Sequence, residues 1–147
     1  MANKNIQKIL ICGDRSWNDG EYIKKYLKKQ TKNVKILHGG YSTGVENHVE
    51  KYGNELGLSI INLKYVKNYS LFGQMHDHAP NTNLNSDLNS QYEAFRVRNM
   101  ITCNSPDMVI VFHNDIESDQ ELSSMLNNVS NTGLRIIVIR NKYYGNV

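Results

Sequence analysis

Ile36-Leu37-His38-Gly39-Gly40-Tyr41-Ser42-Thr43-Gly44 is the stretch on which the reading of the fold turns. An apolar run from Val34 to Leu37 stops at paired glycines. A third glycine follows, and Val45-Glu46-Asn47-His48 then opens a helical pattern. A strand that enters a Gly-rich turn and leaves as a helix presents backbone N–H groups above the turn. The helix N-terminus adds partial positive charge there, so an anion, above all a phosphate, suits the place. The same residues also make a plain strand-to-helix turn with no ligand. The neighbouring turns weigh toward a ligand.

Upstream, Lys8-Ile9-Leu10-Ile11-Cys12 is a short apolar run that ends at the polar turn Gly13-Asp14-Arg15-Ser16. It reads as a buried parallel strand. Asp19-Gly20-Glu21 leads into Tyr22–Leu27, whose apolar positions recur at helical spacing. Downstream, Val45–Leu56 reads as the second helix with Gly57 as its cap, and Leu58–Leu63 as the third strand. The pattern fails from Lys64 to Ser90, an insertion at about 65–90 of the type that forms lids, binding loops or disordered segments. Gln91–Ile101 recovers helical character, and Asp107–Phe112 is the clearest strand. Glu117–Val129 follows as a helix with Leu122, Met125 and Leu126 on one side and Ser118 as a candidate cap. Gly133 ends the connection to a fifth strand, Leu134–Ile139, and residues 141–147 form a tail.

Strands thus alternate with helices, and four of them are continuous apolar runs. That pattern predicts one α/β domain over residues 1–147, a mostly parallel sheet of about five strands covered on both faces. In such sheets ligands bind beyond the carboxyl ends of the strands, where the strand order reverses. The turns after strands one, two and four would gather at that edge.

Composition narrows the function classes. No apolar run approaches the roughly 18 residues of a membrane helix, and the first residues lack the apolar core of a signal peptide. Cys12 and Cys103 sit in apolar surroundings with no zinc-like spacing, so free thiols in a cytoplasmic protein are expected. The net charge of +3 and pI near 8.8 are too weakly basic to argue for DNA binding. Lys24, Lys25, Lys28, Lys29 and Lys32 read as the solvated face of a helix. That face carries no aromatic stacking platform, which disfavours single-stranded nucleic-acid binding.

The three turns carry a resemblance. Ile11-Cys12-Gly13-Asp14-Arg15-Ser16-Trp17 is similar to the "GSR-x-W" opening of the YspA-like branch of the SLOG superfamily. Leu37–Glu46 resembles its "hGGA-x-G-x-D" turn, and Arg98-Asn99-Met100 its "RNxxM" helix. These motifs span most of the chain in family order. The superfamily also holds the LOG (Lonely Guy) enzymes, which hydrolyse the bond between a purine-type base and ribose 5′-phosphate. Their "PGGxGTxxE" pattern lies without a gap on His113–Glu121. Ser118 then stands in place of Thr and Glu121 in place of the catalytic Glu, while every glycine of the pattern is replaced. A carboxylate at Glu117 would repel a phosphate that a glycine backbone would have cradled.

The resemblance implies a Rossmann-like three-layer fold, a nucleotide or nucleotide-derived ligand, and a homodimer or higher homo-oligomer. It implies ligand contacts from Gly13, Asp14, Arg15 and Ser16, from Gly39, Gly40, Tyr41, Ser42, Thr43, Gly44 and Glu46, and from Asn99, His113, Asn114 and Ser118. Glycosidic cleavage builds positive charge on the sugar, which a carboxylate stabilises. The hypothesis gives that role to Glu121 and gives Arg98 the substrate-holding role, through bidentate contacts. Each residue also has a plainer reading. Arg98 can pair with Glu93 or Asp107, Asp14 can cap a helix, and Tyr41 or Trp17 can simply pack. His76, Asp77, His78 and His113 match no strong metal signature, so no metal and no cofactor is expected. Three functions stand together: an N-glycosidase acting on nucleoside monophosphates, a non-catalytic nucleotide sensor or interaction module, and a weak single-stranded nucleic-acid binder.

Overall fold

The computed structural model describes residues 7–65 and 86–141. In chain order they form β1 (Lys8–Gly13), α1 (Gly20–Leu27), β2 (Lys35–His38), α2 (Gly44–Glu55) and β3 (Ser59–Asn62), then α3 (Ser86–Asn104), β4 (Met108–Phe112), α4 (Gln120–Ser130) and β5 (Arg135–Ile139). Short 3₁₀ turns occupy Leu63–Tyr65 and Ile116–Ser118. The five strands make one sheet in the order β3-β2-β1-β4-β5. Every neighbouring pair is parallel: Leu10 lies beside Leu37 on one side and Val109 on the other. The architecture is the expected Rossmann-like three-layer sandwich.

Continuous apolar strands follow from burial on both faces. Ile9 and Ile11 of β1, Ile36 of β2, and Ile110 and Phe112 of β4 pack with Ile23, Leu27, Val45 and Val49 beneath α1 and α2. Their neighbours Leu10, Cys12, Leu37, Val109 and Val111 face the opposite layer, against Val97 and Met100 of α3 and Leu122, Met125 and Leu126 of α4. Each strand residue therefore has a core to enter, whichever way it points.

The boundaries moved at two places. α3 begins at Ser86, so the end of the expected insertion is helical. The expected helix at Glu117 is split: a 3₁₀ turn covers Ile116–Ser118, and α4 starts only at Gln120. Ser118 does not cap α4; its hydroxyl donates back to the Asp115 carbonyl oxygen at 2.9 Å. Gly57 does stand just past α2 with φ +76°, the left-handed conformation of a helix stop. Both cysteines are free, Cys12 buried but Cys103 exposed, against the expectation that both sit in apolar surroundings.

Phe112 fixes how the β4 end meets the α1 layer. It is buried, with the rings of Trp17 and Tyr26 each 5.6 Å away and edge-on, and Tyr22 at 6.4 Å. Such contacts add to plain area burial. Phe112→Ala is expected to destabilise the fold by about 3–5 kcal/mol, read as a lower urea midpoint at unchanged slope.

Candidate functional site

All five strands run the same way, so the turns after β1, β2 and β4 share one edge of the sheet. The chain order reverses between β1 and β4, and a pocket of about 310 Å³ opens there, lined by Asp14, Ser16, Trp17, Asn18, Asp19 and Asn114. Asp14 builds its near wall. Its Oδ1 accepts from the Ser16 N–H at 2.9 Å and the Ser16 hydroxyl at 2.7 Å, and its own N–H donates to the Phe112 carbonyl oxygen at 3.0 Å. Asp14 thus shapes a turn and does not cap a helix; Asp19 caps α1 by accepting from the Tyr22 N–H at 3.2 Å. Asn141 stitches the far wall. Its N–H donates to Asn114 Oδ1 at 2.7 Å, and its side-chain amide donates to Asp19 Oδ2. The pocket wall is polar, and most of its acceptors are bonded within the chain.

The Gly-rich turn is built differently from a bare anion cradle. The Gly40 N–H donates to His38 Nδ1 at 3.0 Å, the Tyr41 N–H to Glu46 Oε1 at 3.1 Å, and the Val45 N–H to the Asp14 carbonyl oxygen at 3.3 Å. Three of its donors are therefore already engaged within the chain. Ser42 and Thr43 are exposed, and Thr43 at the α2 N-cap makes no side-chain cap bond. Gly44 has φ +76°, and a Cβ there would lie 2.5 Å from the Arg15 Cα, so the β1 turn sits directly on the start of α2. Gly39 has a different reason: a Cβ would lie 2.2 Å from Arg96 Nη2.

Arg96 is the residue the sequence reading missed. It is buried on α3 and ion-pairs with buried Glu46 of α2 through Nη2 and Oε1. Its Nη1 reaches Glu93 Oε1 at 3.3 Å, and the Tyr41 hydroxyl donates to Glu93 Oε2. The Arg96 guanidinium also lies 3.7 Å from the centre of the Tyr41 ring, while Arg15 lies 4.3 Å from that centre. The aromatic ring thus serves two cations. Burial pushes the Glu46 carboxyl up, but the charge and hydrogen bond of Arg96, then His38 and the Tyr41 N–H, outweigh it and hold Glu46 below the usual range. Glu93 goes the other way. Burial raises its carboxyl above the usual range, with Glu46 adding to the rise, against the opposing pull of Arg96, Tyr41 and Arg15. Burial likewise raises the Cys12 thiol and the Tyr41 phenol, so neither ionises near neutrality. Among the described residues Glu46 Oε2, which is buried, has no hydrogen-bond partner.

Arg98 and Glu121 do come together, but in another place. They line a groove of about 310 Å³ between α3 and α4 with Gln91, Phe95, Met125 and Asn128, and no residue of the three turns lines it. Arg98 makes no ion pair with Glu93 or Asp107: Glu93 goes to Arg96, and Asp107 Oδ2 accepts from the Lys8 N–H at 2.8 Å. Asn99 is half-buried, and its buried Nδ2 has no hydrogen-bond partner among the described residues. His113 accepts from the Asp115 N–H at 3.1 Å and so shapes the β4 turn. Glu117 turns toward Arg140, which reaches Oε1 at 3.2 Å and also the Asn114 carbonyl oxygen at 3.1 Å. That ion pair holds the Glu117 carboxyl below its usual range and offsets its charge at the edge. Gly13, between β1 and its turn, pairs in register with Phe112. His76, Asp77 and His78 lie outside the described residues, and among the described ones no group of three His, Cys, Asp or Glu can hold a metal. No helix among them is long and apolar enough to cross a membrane.

Two stability tests follow from the ion network. Arg96→Met leaves Glu46 buried without its cation and is expected to cost about 3–5 kcal/mol; adding Glu46→Gln should recover part of that in chemical denaturation. For Glu93 the folded state holds a proton that the unfolded chain releases. Stability is therefore expected to fall as pH rises from about 4.5 through the raised folded value, and Glu93→Gln should flatten that fall in a pH series of urea midpoints.

No protein-family model matches this chain, and no curated protein matches it.

Proposed function

We propose that this protein binds a nucleotide or nucleotide-derived ligand at the carboxyl edge of its sheet and does so without hydrolysing it. The observation that carries the reading is the pocket between the ends of β1 and β4, at the point of strand reversal. Ligands of open α/β sheets sit there because the flanking turns diverge and leave a crevice. The Asp14 carboxylate, held by Ser16 through Oδ1, suits a ribose hydroxyl, while Asp19 and Asn114 are bonded to Tyr22 and Asn141 and shape the wall. Arg15, Ser42 and Thr43, all exposed on the adjoining turns, suit phosphate oxygens. The likeness of these turns to the YspA-like branch of the SLOG superfamily supports the same ligand class.

Hydrolysis is the second reading, and one observation favours it: Arg98 and Glu121 share a groove. That groove lies between helices and lacks the turn residues that would hold the phosphate, so binding alone is the better reading. A second copy of the chain, which the likeness also implies, would have the same groove available, with Phe95 40% exposed on it.

The test is a thermal-shift panel of nucleoside monophosphates, cyclic nucleotides and ADP-ribose-type derivatives, with product analysis of each hit. A ligand present at about 100 times its Kd stabilises the folded state by about 2.7 kcal/mol. Asn18→Trp, which fills the pocket from its exposed rim, should remove the shift, whereas Arg98→Ala and Glu121→Gln should keep it. Release of free base that stops in Glu121→Gln would replace the binding reading with the hydrolytic one.

A further inference from the structure

Tyr41 carries a guanidinium on each of two contacts, and the two cations have unequal surroundings. Arg96 is buried and committed to Glu46 and Glu93. Arg15 is exposed, lies 4.3 Å from the ring centre, and makes no ion pair or hydrogen bond among the described residues. Stacking on the ring limits where its guanidinium can go, while its N–H edge keeps its donors. Ser42 and Thr43, exposed in the same turn as Tyr41, offer hydroxyls beside it.

The charge balance behind Tyr41 bears on what Arg15 can accept. Glu93 touches Tyr41 of the Gly-rich turn and Arg96 of its own helix, and it also feels the charges of Glu46 on α2 and Arg15 on the β1 turn. Glu46 already claims Arg96. An ionised Glu93 is then a second carboxylate on one cation, and it draws on the field of Arg15 as well. A protonated Glu93 leaves Arg15 as an uncompensated positive charge.

We infer that the exposed side of the Arg15–Tyr41 contact is a seat for one oxyanion group, such as a phosphate of the ligand, and that filling it favours the protonated form of Glu93. This deepens the nucleotide reading and rests on it for the natural ligand, though not for the seat. An anion on Arg15 and an ionised Glu93 lie in the field of the same cation, so the two negative charges disfavour each other. Linkage then requires that proton binding tighten anion binding, and the reverse.

Sulfate is the probe, because it keeps its charge across the range in which Glu93 titrates. Titrated into ¹⁵N-labelled protein, it should shift the Arg15 side-chain Nε–H and the amides of Ser42 and Thr43. Arg15→Gln should weaken binding by about tenfold or more, the loss of one charge-assisted contact. Wild-type affinity should fall as pH rises, read as a titration series from about pH 5 to about pH 9. Glu93→Gln, fixed in the neutral form, should bind with less pH dependence than wild type. Binding unchanged in Arg15→Gln would overturn the seat. A pH dependence that persists whole in Glu93→Gln would overturn the linkage. Should that variant fail to fold, calorimetry of wild type in two buffers of different ionisation heat, at the pH where its sulfate affinity changes most steeply, decides, since equal heats there mean no proton is taken up. A nucleotide that binds a protein indifferent to sulfate would sink the seat alone. Sulfate seated on Arg15 with no responding nucleotide would support the seat and sink the nucleotide reading.

Discussion

The Glu46–Arg96 ion pair ties the two helical layers together across the end of β2. Glu46 comes from α2 on one face of the sheet, and Arg96 from α3 on the other. Gly39 has no side chain in the path of the guanidinium, where a Cβ would lie 2.2 Å from Arg96 Nη2. Desolvating two charges is costly, and the cost is offset only when their remaining donors and acceptors find partners. Here Glu93, the Tyr41 ring and the Tyr41 N–H supply most of them. The position of the Gly-rich turn, and so of Tyr41 and Arg15, follows from that pair.

A turn held by internal partners differs from one left open for a ligand. The glycines at 39 and 44 are required by the approach of Arg96 and of the β1 turn. Glycine in such a place permits close contact with whatever lies above, and here much of what lies above is the protein itself. The exposed part of the edge is correspondingly made of side chains: Arg15, Ser16, Ser42 and Thr43. Recognition at this edge depends on their hydroxyls and guanidinium more than on a ring of amides.

The fold was legible because burial on both faces makes a strand apolar throughout, and β1, β4 and β5 announce themselves that way. Their common direction followed from the helices between them. The start of α3 was not legible, since Ser86–Ser90 has the polar composition of a loop and is helical all the same. The choice between Arg96 and Arg98 was open to periodicity. Glu93, Arg96, Val97 and Met100 fall at the three- and four-residue spacings of one helix face, and Val97 and Met100 are core. An arginine on an apolar stripe with a Glu three residues before it signals a buried ion pair. The motif likeness drew attention to Arg98 instead, which is exposed. Asn141 was beyond reach, because its two bonds join turns that meet only in the folded chain.

The central place of β1 bears on how the protein is made. Its partners are β2, which follows at once, and β4, which arrives some hundred residues later. While the ribosome has delivered only the segment through β3, α1 and α2 can cover Ile9, Ile11 and Ile36, but Leu10, Cys12 and Leu37 have no lid. The open edge of β1 also lacks its neighbour. A nascent chain in that state offers both an oily face and an unpaired strand to other molecules, and it depends on prompt completion of synthesis, or on a chaperone, to stay soluble.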